Sequence, residues 1–319
     1  MGLRIQILGI AIAWSFICAN VAAQAYPSRA LRLIVPAAPG GPLEAVVRPL
    51  AEAMTANMGQ PFVIDNRPGA NGIIGMEACA RAVPDGYALC ASTIAMISVN
   101  PWLYAKLPYQ PKRDLAPIAP LVAIEDVVVA TSNTAFASFD EMINAARSRP
   151  GTLNWGSPGI GSIPHLRLGA IRQWKNVDIA HVPYNTAPAV VQALLAGDVQ
   201  LTVLAAGSVL PQIRAGKLRA LATGSRILAN VPTMRELGMD LNVESWFGLF
   251  APAATPSEAI ARLNLEARRV LSSDAFRSKV LEPQGFRLLD ETPAGFAAML
   301  SQERASLGRI IRSSGIKVE

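Results

Sequence analysis

The chain has few of the residues on which metal sites and common catalytic sites depend. Its 319 residues include two histidines and three cysteines, and no two cysteines form a C-x-x-C pair. A structural zinc site takes four such ligands, so we expect no metal. No G-x-S-x-G sequence occurs, and Gly69, Gly72 and Gly75 lack the spacing of a dinucleotide-binding turn. We therefore expect neither a cofactor nor catalysis.

The chain also lacks a basic stripe, although it is basic overall. The formal net charge is +6, yet the lysines and arginines stand singly or in pairs such as Lys112–Arg113. Nucleic-acid-binding proteins cluster such residues on one face, often among aromatic side chains, so we expect no nucleic-acid partner. A mild positive field still favours small anionic molecules.

Acidic residues are missing from the first part of the chain, where Glu44 is the first to occur. Arg4 is followed by an apolar stretch from Ile5 to Ile17, which is shorter than the roughly 20 residues that span a bilayer. Ala23-Gln24-Ala25 then forms an A-x-A cleavage signal. Residues 1–25 are predicted to be a signal peptide cut after Ala25, so the mature protein would be exported to the periplasm.

Export leaves two cysteines in the mature chain, Cys79 and Cys90. Cysteines in an oxidising compartment often pair. Two buried free thiols fit the apolar surroundings of both residues equally well, so the sequence leaves both possibilities open.

Strand-like and helix-like segments alternate along the chain, which is typical of α/β folds with parallel strands. Two long apolar strands, about 118–131 and 244–251, flank a self-contained block and are interpreted as crossovers between two lobes. The first lobe would comprise residues 26–125 plus 246–319, and the second residues 126–245. This division predicts a cleft between the lobes at the carboxyl ends of the strands.

The turn after the first strand has the form of an anion site. Pro39-Gly40-Gly41-Pro42 separates an apolar run from a helical pattern that begins at Leu43. Gly41 is a suitable N-cap and Pro42 a suitable first helical residue. A helix start brings free N–H groups and the positive end of the helix dipole to one point. Glu44 is expected to cap its own backbone rather than contact a ligand.

Other strand ends repeat this arrangement of a small polar cap followed by an early proline. Ser162, Thr186 and Ser208 each precede a proline by two or three residues, and Ser92-Thr93 follows another strand. Several helix starts at facing sheet edges would hold a carboxylate without an arginine. His165, in the first turn after Ser162, is assigned either a cleft contact or a structural role.

Ten segments together resemble one family in the expected order. They read YPSRALRLIVPAAPGG, VIDNRPGANGIIG, PDGY, NPWLY, KLPY, NWGSPGIGS, HVPYNTAPA, AGKLRALAT, VPTMRELG and SWFGLFAPA. The chain resembles the Bug-type periplasmic solute-binding receptors of tripartite tricarboxylate transporters from Tyr26 to its end. The resemblance implies a two-lobed periplasmic binding protein fold of type II (a Venus flytrap) with two crossover strands. It also implies a small carboxylate ligand and a membrane permease of one large and one small subunit.

The sequence departs from the family pattern at three polar positions. Leu43 stands in place of a hydroxyl residue, Ile94 follows Ser92-Thr93 where glycine and serine are usual, and Leu204-Ala205 replaces an Asp-Asn pair. Apolar residues at these places would favour a ligand with an aromatic or aliphatic body. The predicted binding residues are Pro39, Gly40, Gly41, Pro42, Leu43, Ser92, Thr93, Ser157, Gly159, Gly161, Ser162, His165, Tyr184, Asn185, Thr186, Leu204 and Ala205.

These observations predict a periplasmic receptor that captures a small carboxylate for a transporter. Two alternatives remain open. The lobes could report a ligand to a membrane signalling protein, and a periplasmic hydrolase would need a nucleophile–base pair that the sequence does not reveal.

Overall fold

A computed structural model describes residues 26–239 and 244–314. The predicted signal peptide, residues 1–25, lies outside these ranges. The strands are β1 (Leu31–Val35), β2 (Phe62–Asn66), β3 (Ala88–Thr93), β4 (Leu115–Ile124), β5 (Asp126–Thr131), β6 (Asn154–Ser157), β7 (Ala180–Pro183), β8 (Leu201–Ala205), β9 (Leu218–Thr223), β10 (Trp246–Pro252) and β11 (Phe286–Leu288).

The longer helices lie between these strands, as the alternating pattern predicts. They are α1 (Pro42–Met58), α2 (Ile73–Ala80), α3 (Phe139–Ser148), α4 (Ile163–Lys175), α5 (Ala187–Ala196), α6 (Ala206–Arg214), α7 (Ser257–Leu271) and α8 (Pro293–Ser314). Shorter helical segments are Ala70–Gly72, Ala95–Val99, Asn100–Leu103, Pro111–Asp114, Asp274–Phe276, Arg277–Leu281 and Glu282–Gln284.

Local capping explains where several helices begin. Gly41 is the N-cap of α1 and Pro42 its first residue, as predicted. The Thr186 hydroxyl accepts the N–H of Ala189 at 3.2 Å and so caps α5. The prediction for Ser208 is wrong, because α6 starts at Ala206 and takes Ala205 as its N-cap.

The described strands form a six-stranded sheet in the order β11-β4-β10-β3-β1-β2 and a five-stranded sheet in the order β7-β6-β8-β5-β9. Both sheets are mixed rather than parallel. β10 runs antiparallel to β3 and β4, and β5 runs antiparallel to β8 and β9. Each crossover strand enters its new sheet beside the carboxyl ends of that sheet's parallel strands. It therefore runs antiparallel to them.

The long strand predicted over about 118–131 is divided at Glu125. β4 belongs to the six-stranded sheet and β5 to the five-stranded sheet. The Glu125 N–H donates to the carbonyl of Gly285 at 3.2 Å, and its own carbonyl accepts the N–H of Ala206 at 2.8 Å. These bonds hold the crossover between elements of both sheets.

Each sheet carries apolar clusters on both faces. In the six-stranded sheet, one cluster packs α1 and α7, and the other contains α2 and α8. The five-stranded sheet packs α3 and α4 on one face and α5 and α6 on the other. We call the six-stranded sheet with its helices the first lobe, and the five-stranded sheet with its helices the second lobe. This strand membership supports the proposed lobe boundaries, 26–125 plus 246–319 and 126–245.

Cys79 of α2 and Cys90 of β3 form a disulfide, with Cα atoms 6.0 Å apart. The structure thus decides between the two alternatives that the sequence left open. Both side chains are fully buried in the cluster beneath α8.

Candidate functional site

The predicted loops gather at one edge of each sheet. β1, β2 and β3 are parallel neighbours, so the turn before α1 and the loop after Thr93 lie at the same edge. β6 and β7 are parallel and place Ser157 beside Pro183, while β8 runs parallel to β6. The starts of α1, α4, α5 and α6 therefore lie at the carboxyl ends of strands, where α/β folds usually bind ligands.

The turn before α1 is organised by Glu44. Gly40 has φ of 82°, a conformation that favours glycine, whereas Gly41 has φ of −85° and is unstrained. The Gly40 N–H donates to Glu44 Oε2 at 2.6 Å, and Arg48 pairs with the other carboxylate oxygen. Glu44 is 6% exposed. The predicted capping of the backbone by Glu44 therefore agrees with the contacts.

Electrostatics at this turn favour an ionised Glu44. Burial opposes the charge, but hydrogen bonds from Arg48 and the Gly40 N–H hold the pKa of Glu44 below its ordinary value. The Gly40 N–H is thus already occupied. Because Pro42 has no N–H and the first intrahelical bond starts at Ala45, helix geometry gives the N–H groups of Leu43 and Glu44 no acceptor within the helix.

The loop between β6 and α4 satisfies most of its own polar groups. The Ser162 hydroxyl donates to the carbonyl of Gly159 at 2.7 Å, so Ser162 occupies the N-cap position without capping through its side chain. The Gly161 N–H donates to His165 Nδ1 at 3.1 Å. His165 must therefore carry its proton on Nε2 when neutral.

The two histidines of the chain, which lie on different elements, stack against each other. The rings of His165 and His181 are 3.9 Å apart with an angle of 4° between their planes. Burial, the neighbouring His181 and Arg172 lower the pKa of His165 to about 4. Burial and Arg172 likewise lower the pKa of His181 to about 4. Both rings are therefore neutral near pH 7.

The structure brings together a serine and a histidine that the sequence did not pair. Ser157 Oγ lies 2.7 Å from His181 Nε2, which is the distance expected of a nucleophile and its base. Ser157 is fully buried, however, and its Oγ also accepts the N–H of Gly159 at 3.2 Å. The hydroxyl is thus buried and bonded within the loop and to His181, and these contacts support the loop.

The second-lobe loops differ in what they present. The ring of Tyr184 lies over Gly156, 3.6 Å from where a Cβ would stand, and packs with the cluster under α5. Asn185 is exposed. Ala205 packs against the first lobe, and Gly207 comes so close to Gln284 that an added Cβ would lie 2.8 Å from its Cα. The Leu204–Gly207 segment thus lies at the junction of the lobes.

Three apolar residues that were expected to line the cleft belong to the cores instead. Leu43, Ile94 and Leu204 are 3%, 1% and 4% exposed, and each lies in a different apolar cluster. The phase of the helix or strand turns their side chains inward. These residues therefore give no support for an apolar ligand body.

Ser92 is also placed in the core. It lies opposite Gly248 in an antiparallel pair, so both point to the same face, where a Cβ on Gly248 would meet Phe296 at 2.7 Å. Its buried hydroxyl has no hydrogen-bond partner among the described residues. Thr93 points to the opposite face and is half-buried.

Solvent exposure divides the predicted residues into two groups. The buried ones are Leu43, Ser92, Ser157, Gly161, Ser162 and Leu204; the at least partly exposed ones are Pro39, Gly40, Gly41, Pro42, Thr93, Gly159, His165, Tyr184, Asn185, Thr186 and Ala205. The exposed group lies at the α1 turn, the end of β3 and the starts of α4, α5 and α6. These are the places where a ligand would have access to backbone groups.

The two lobes touch close to this site. Leu166, in the first turns of α4, is 4% exposed and packs in the first-lobe cluster that includes Trp246 and Leu307. At the next residue, Arg167 Nη2 lies 3.6 Å from Asp126 Oδ2, and both side chains are buried. The Ser245 hydroxyl donates to the same Asp126 oxygen at 2.8 Å, which joins the two crossovers.

Three other kinds of feature bear on function: surface pockets, metal sites and membrane-spanning helices. Two surface pockets of about 470 and 570 Å³ are lined by residues around Phe136 and around Tyr104, and none of the predicted binding residues lines either pocket. Within residues 26–239 and 244–314, no group of three or more His, Cys, Asp or Glu side chains is placed to hold a metal ion. No helix in those ranges is both long and apolar enough to cross a membrane.

Comparison with known proteins identifies the family. A model described as "Tripartite tricarboxylate transporter family receptor" matches residues 46–316. The chain belongs to this family. BugT of Bordetella pertussis is 34% identical to this receptor over an alignment that covers 99% of the chain and 98% of BugT. The resemblance predicted from the sequence motifs is confirmed.

Solved structures share the architecture of this receptor. Rpa4515 of R. palustris, solved with adipate, is 29% identical with a TM-score of 0.86, covering 92% of this chain and 99% of that one. MatC of Rhodopseudomonas palustris, solved with malate, is 28% identical with a TM-score of 0.82, covering 90% and 100%. The predicted two-lobed periplasmic binding protein fold is confirmed, and the protein is a solute-binding receptor of this family.

Proposed function

We propose that this receptor is exported, binds a small carboxylate between its lobes and delivers it to a membrane permease of one large and one small subunit. The observation that carries this proposal is the gathering of four helix starts at the carboxyl edges of the two sheets. The exposed groups there are backbone groups and hydroxyls, together with the His165 ring and the Asn185 amide. Family relatives solved with adipate and malate support the choice of ligand class.

The proposed carboxylate is held at the start of α1 and the start of α4. The helix dipole and the N–H groups of Leu43 and Glu44 favour an anion at the first position. At the start of α4, the N–H groups of Ile163 and His165 lie in the first helical turn and are proposed to bind the anion. Pro164, between them, has no N–H. The two sites lie on different lobes, so one ligand bound to both would favour the closed arrangement.

Thermal denaturation of the mature protein with added acids tests the ligand class. Adipate, malate, citrate and benzoate are compared at matched concentration, with adipamide as the uncharged control for adipate. A ligand at a hundred times its Kd stabilises a protein by about 2.7 kcal/mol, which gives a clear rise in Tm. We expect at least one acid to raise Tm and adipamide to have no effect. Equal effects of adipate and adipamide would contradict carboxylate recognition.

Export is tested by the intact mass of the protein recovered from a periplasmic extract. We expect a chain that begins at Tyr26, because the cleavage signal ends at Ala25. A chain that keeps its first 25 residues would contradict the proposed cleavage.

A further inference from the structure

One large apolar side chain is exposed in the loop that leads into α4. Ile160 is 47% exposed and lies between Gly159 and Gly161, whose φ angles are 129° and 81°. Glycine adopts such angles readily, whereas other residues would be strained there. The Ser162 N–H donates to the carbonyl of Gly159 at 3.3 Å, which closes a turn with Ile160 between its two glycines. Ile160 is not among the binding residues predicted from the sequence.

The polar groups around Ile160 are largely committed to the loop itself. The Ser157 hydroxyl contacts His181 and Gly159, and the Ser162 hydroxyl donates to the Gly159 carbonyl. The Gly161 N–H donates to His165. The side chain that the loop leaves exposed to solvent is thus hydrocarbon rather than hydroxyl.

Ile160 is of interest for its position and not for its exposure alone. Single hydrophobic side chains on a protein surface are common and need no explanation. Ile160, however, follows β6 at the edge where the helix starts gather, and Leu166 nearby in α4 already packs against the first lobe. A ligand at the start of α4 would come within reach of Ile160.

We propose that Ile160 determines ligand specificity by contacting the hydrocarbon body of the bound acid. The inference rests on the proposed function, because it needs a carboxylate at the start of α4. The ligand class that it selects is a straight-chain aliphatic carboxylate without hydroxyl groups. Methylene groups gain by leaving water against Ile160, whereas a hydroxyl pressed against it would lose its hydrogen bonds to water.

The test compares two dicarboxylates by isothermal titration calorimetry. Adipate presents methylene groups between its carboxylates, and malate presents a hydroxyl. We expect the wild-type protein to prefer adipate. Ile160→Asn should weaken adipate binding about tenfold, the change produced by about 1.4 kcal/mol, while malate affinity changes little. Ile160→Val, which keeps an apolar side chain, should retain the preference.

Val83→Asn is the matched control for adding an amide at an exposed apolar position. Val83 is 68% exposed and precedes β3, at the opposite edge of the sheet from the proposed site. We expect it to leave both affinities unchanged. If the ratio of adipate affinity to malate affinity is unaltered in Ile160→Asn, or if the wild-type protein prefers malate, the role of Ile160 is overturned while the proposed function stands. Failure of the wild-type protein to bind any of the acids would overturn the proposed function with it.

Discussion

Glu44 shows how a single buried carboxylate shapes the proposed site. It is nearly enclosed at the start of α1, where it accepts the Gly40 N–H and pairs with Arg48. These contacts fix the left-handed Gly40 turn and place a negative charge at the positive end of the helix. The charge belongs to the fold, so the proposed ligand would use the neighbouring N–H groups.

Glu44→Gln is expected to lower the free energy of unfolding at pH 7 by about 1–2 kcal/mol, because a charge-assisted bond is replaced by a neutral one. The pKa of Glu44 is lowered in the folded state from an ordinary value of 4.5. The unfolded state therefore takes up the proton first, and the stabilisation is lost as pH falls below about 4.5. Urea denaturation from pH 7 to pH 3 measures this.

Glu52→Gln is the control for this prediction. Glu52 is exposed on the same helix. We expect its substitution to change stability by less than about 0.5 kcal/mol at every pH. If both variants showed the same pH-dependent difference from the wild-type protein, the stabilising role of Glu44 would be refuted.

At the scale of elements, the disulfide ties α2 to β3. β3 ends at Ser92-Thr93, so the bond supports the strand that leads to the proposed site. The two half-cystines are close in sequence, and both are fully buried. A bond of this kind limits the conformations of the unfolded chain more than it changes the folded one.

Removing the disulfide is expected to reduce the free energy of unfolding by about 3 kcal/mol, as loop-closure entropy predicts for a loop of this size. Guanidinium denaturation with and without dithiothreitol, on the wild-type protein and on Cys79→Ala/Cys90→Ala, measures the effect. The reductant should destabilise the wild-type protein and leave the double variant unchanged. Two free thiols would make the reductant ineffective on both proteins.

At the scale of the whole molecule, Leu166 joins the lobes. It belongs to a second-lobe helix but packs with first-lobe residues beneath α8. Opening the lobes would expose this side chain, so its burial stabilises the arrangement in which they touch. Leu168, two residues after Leu166 in the same helix, is fully buried within the second lobe itself.

Leu166→Ala is expected to favour opening, because a buried Leu→Ala change costs about 2–5 kcal/mol. Small-angle X-ray scattering without ligand should show a larger radius of gyration than in the wild-type protein. Leu168→Ala removes a side chain of the same size from one lobe only. It should lower Tm while leaving the radius of gyration unchanged. Equal radii for all three proteins would show that Leu166 does not hold the lobes together.

The sequence by itself determined the family, the general alternation of strands and helices, and the places where several helices begin. These features follow from local causes: Gly41 and Pro42 at α1, and Thr186 at α5, act on backbone groups within a few residues. The capping role of Glu44 was predictable for the same reason. The sequence motifs also located the loops in which exposed backbone groups now lie.

Only the tertiary structure decided which side chains those loops present. Leu43, Ile94 and Leu204 are buried because the packing of each sheet fixes which face is covered, and this depends on residues far away in sequence. The contacts of His165 with His181, and of Leu166 with the first lobe, also need the folded chain to bring distant elements together. Ile160 became a candidate only when its exposure was known. Local patterns determine where a loop begins and ends, whereas long-range packing determines which of its side chains are exposed.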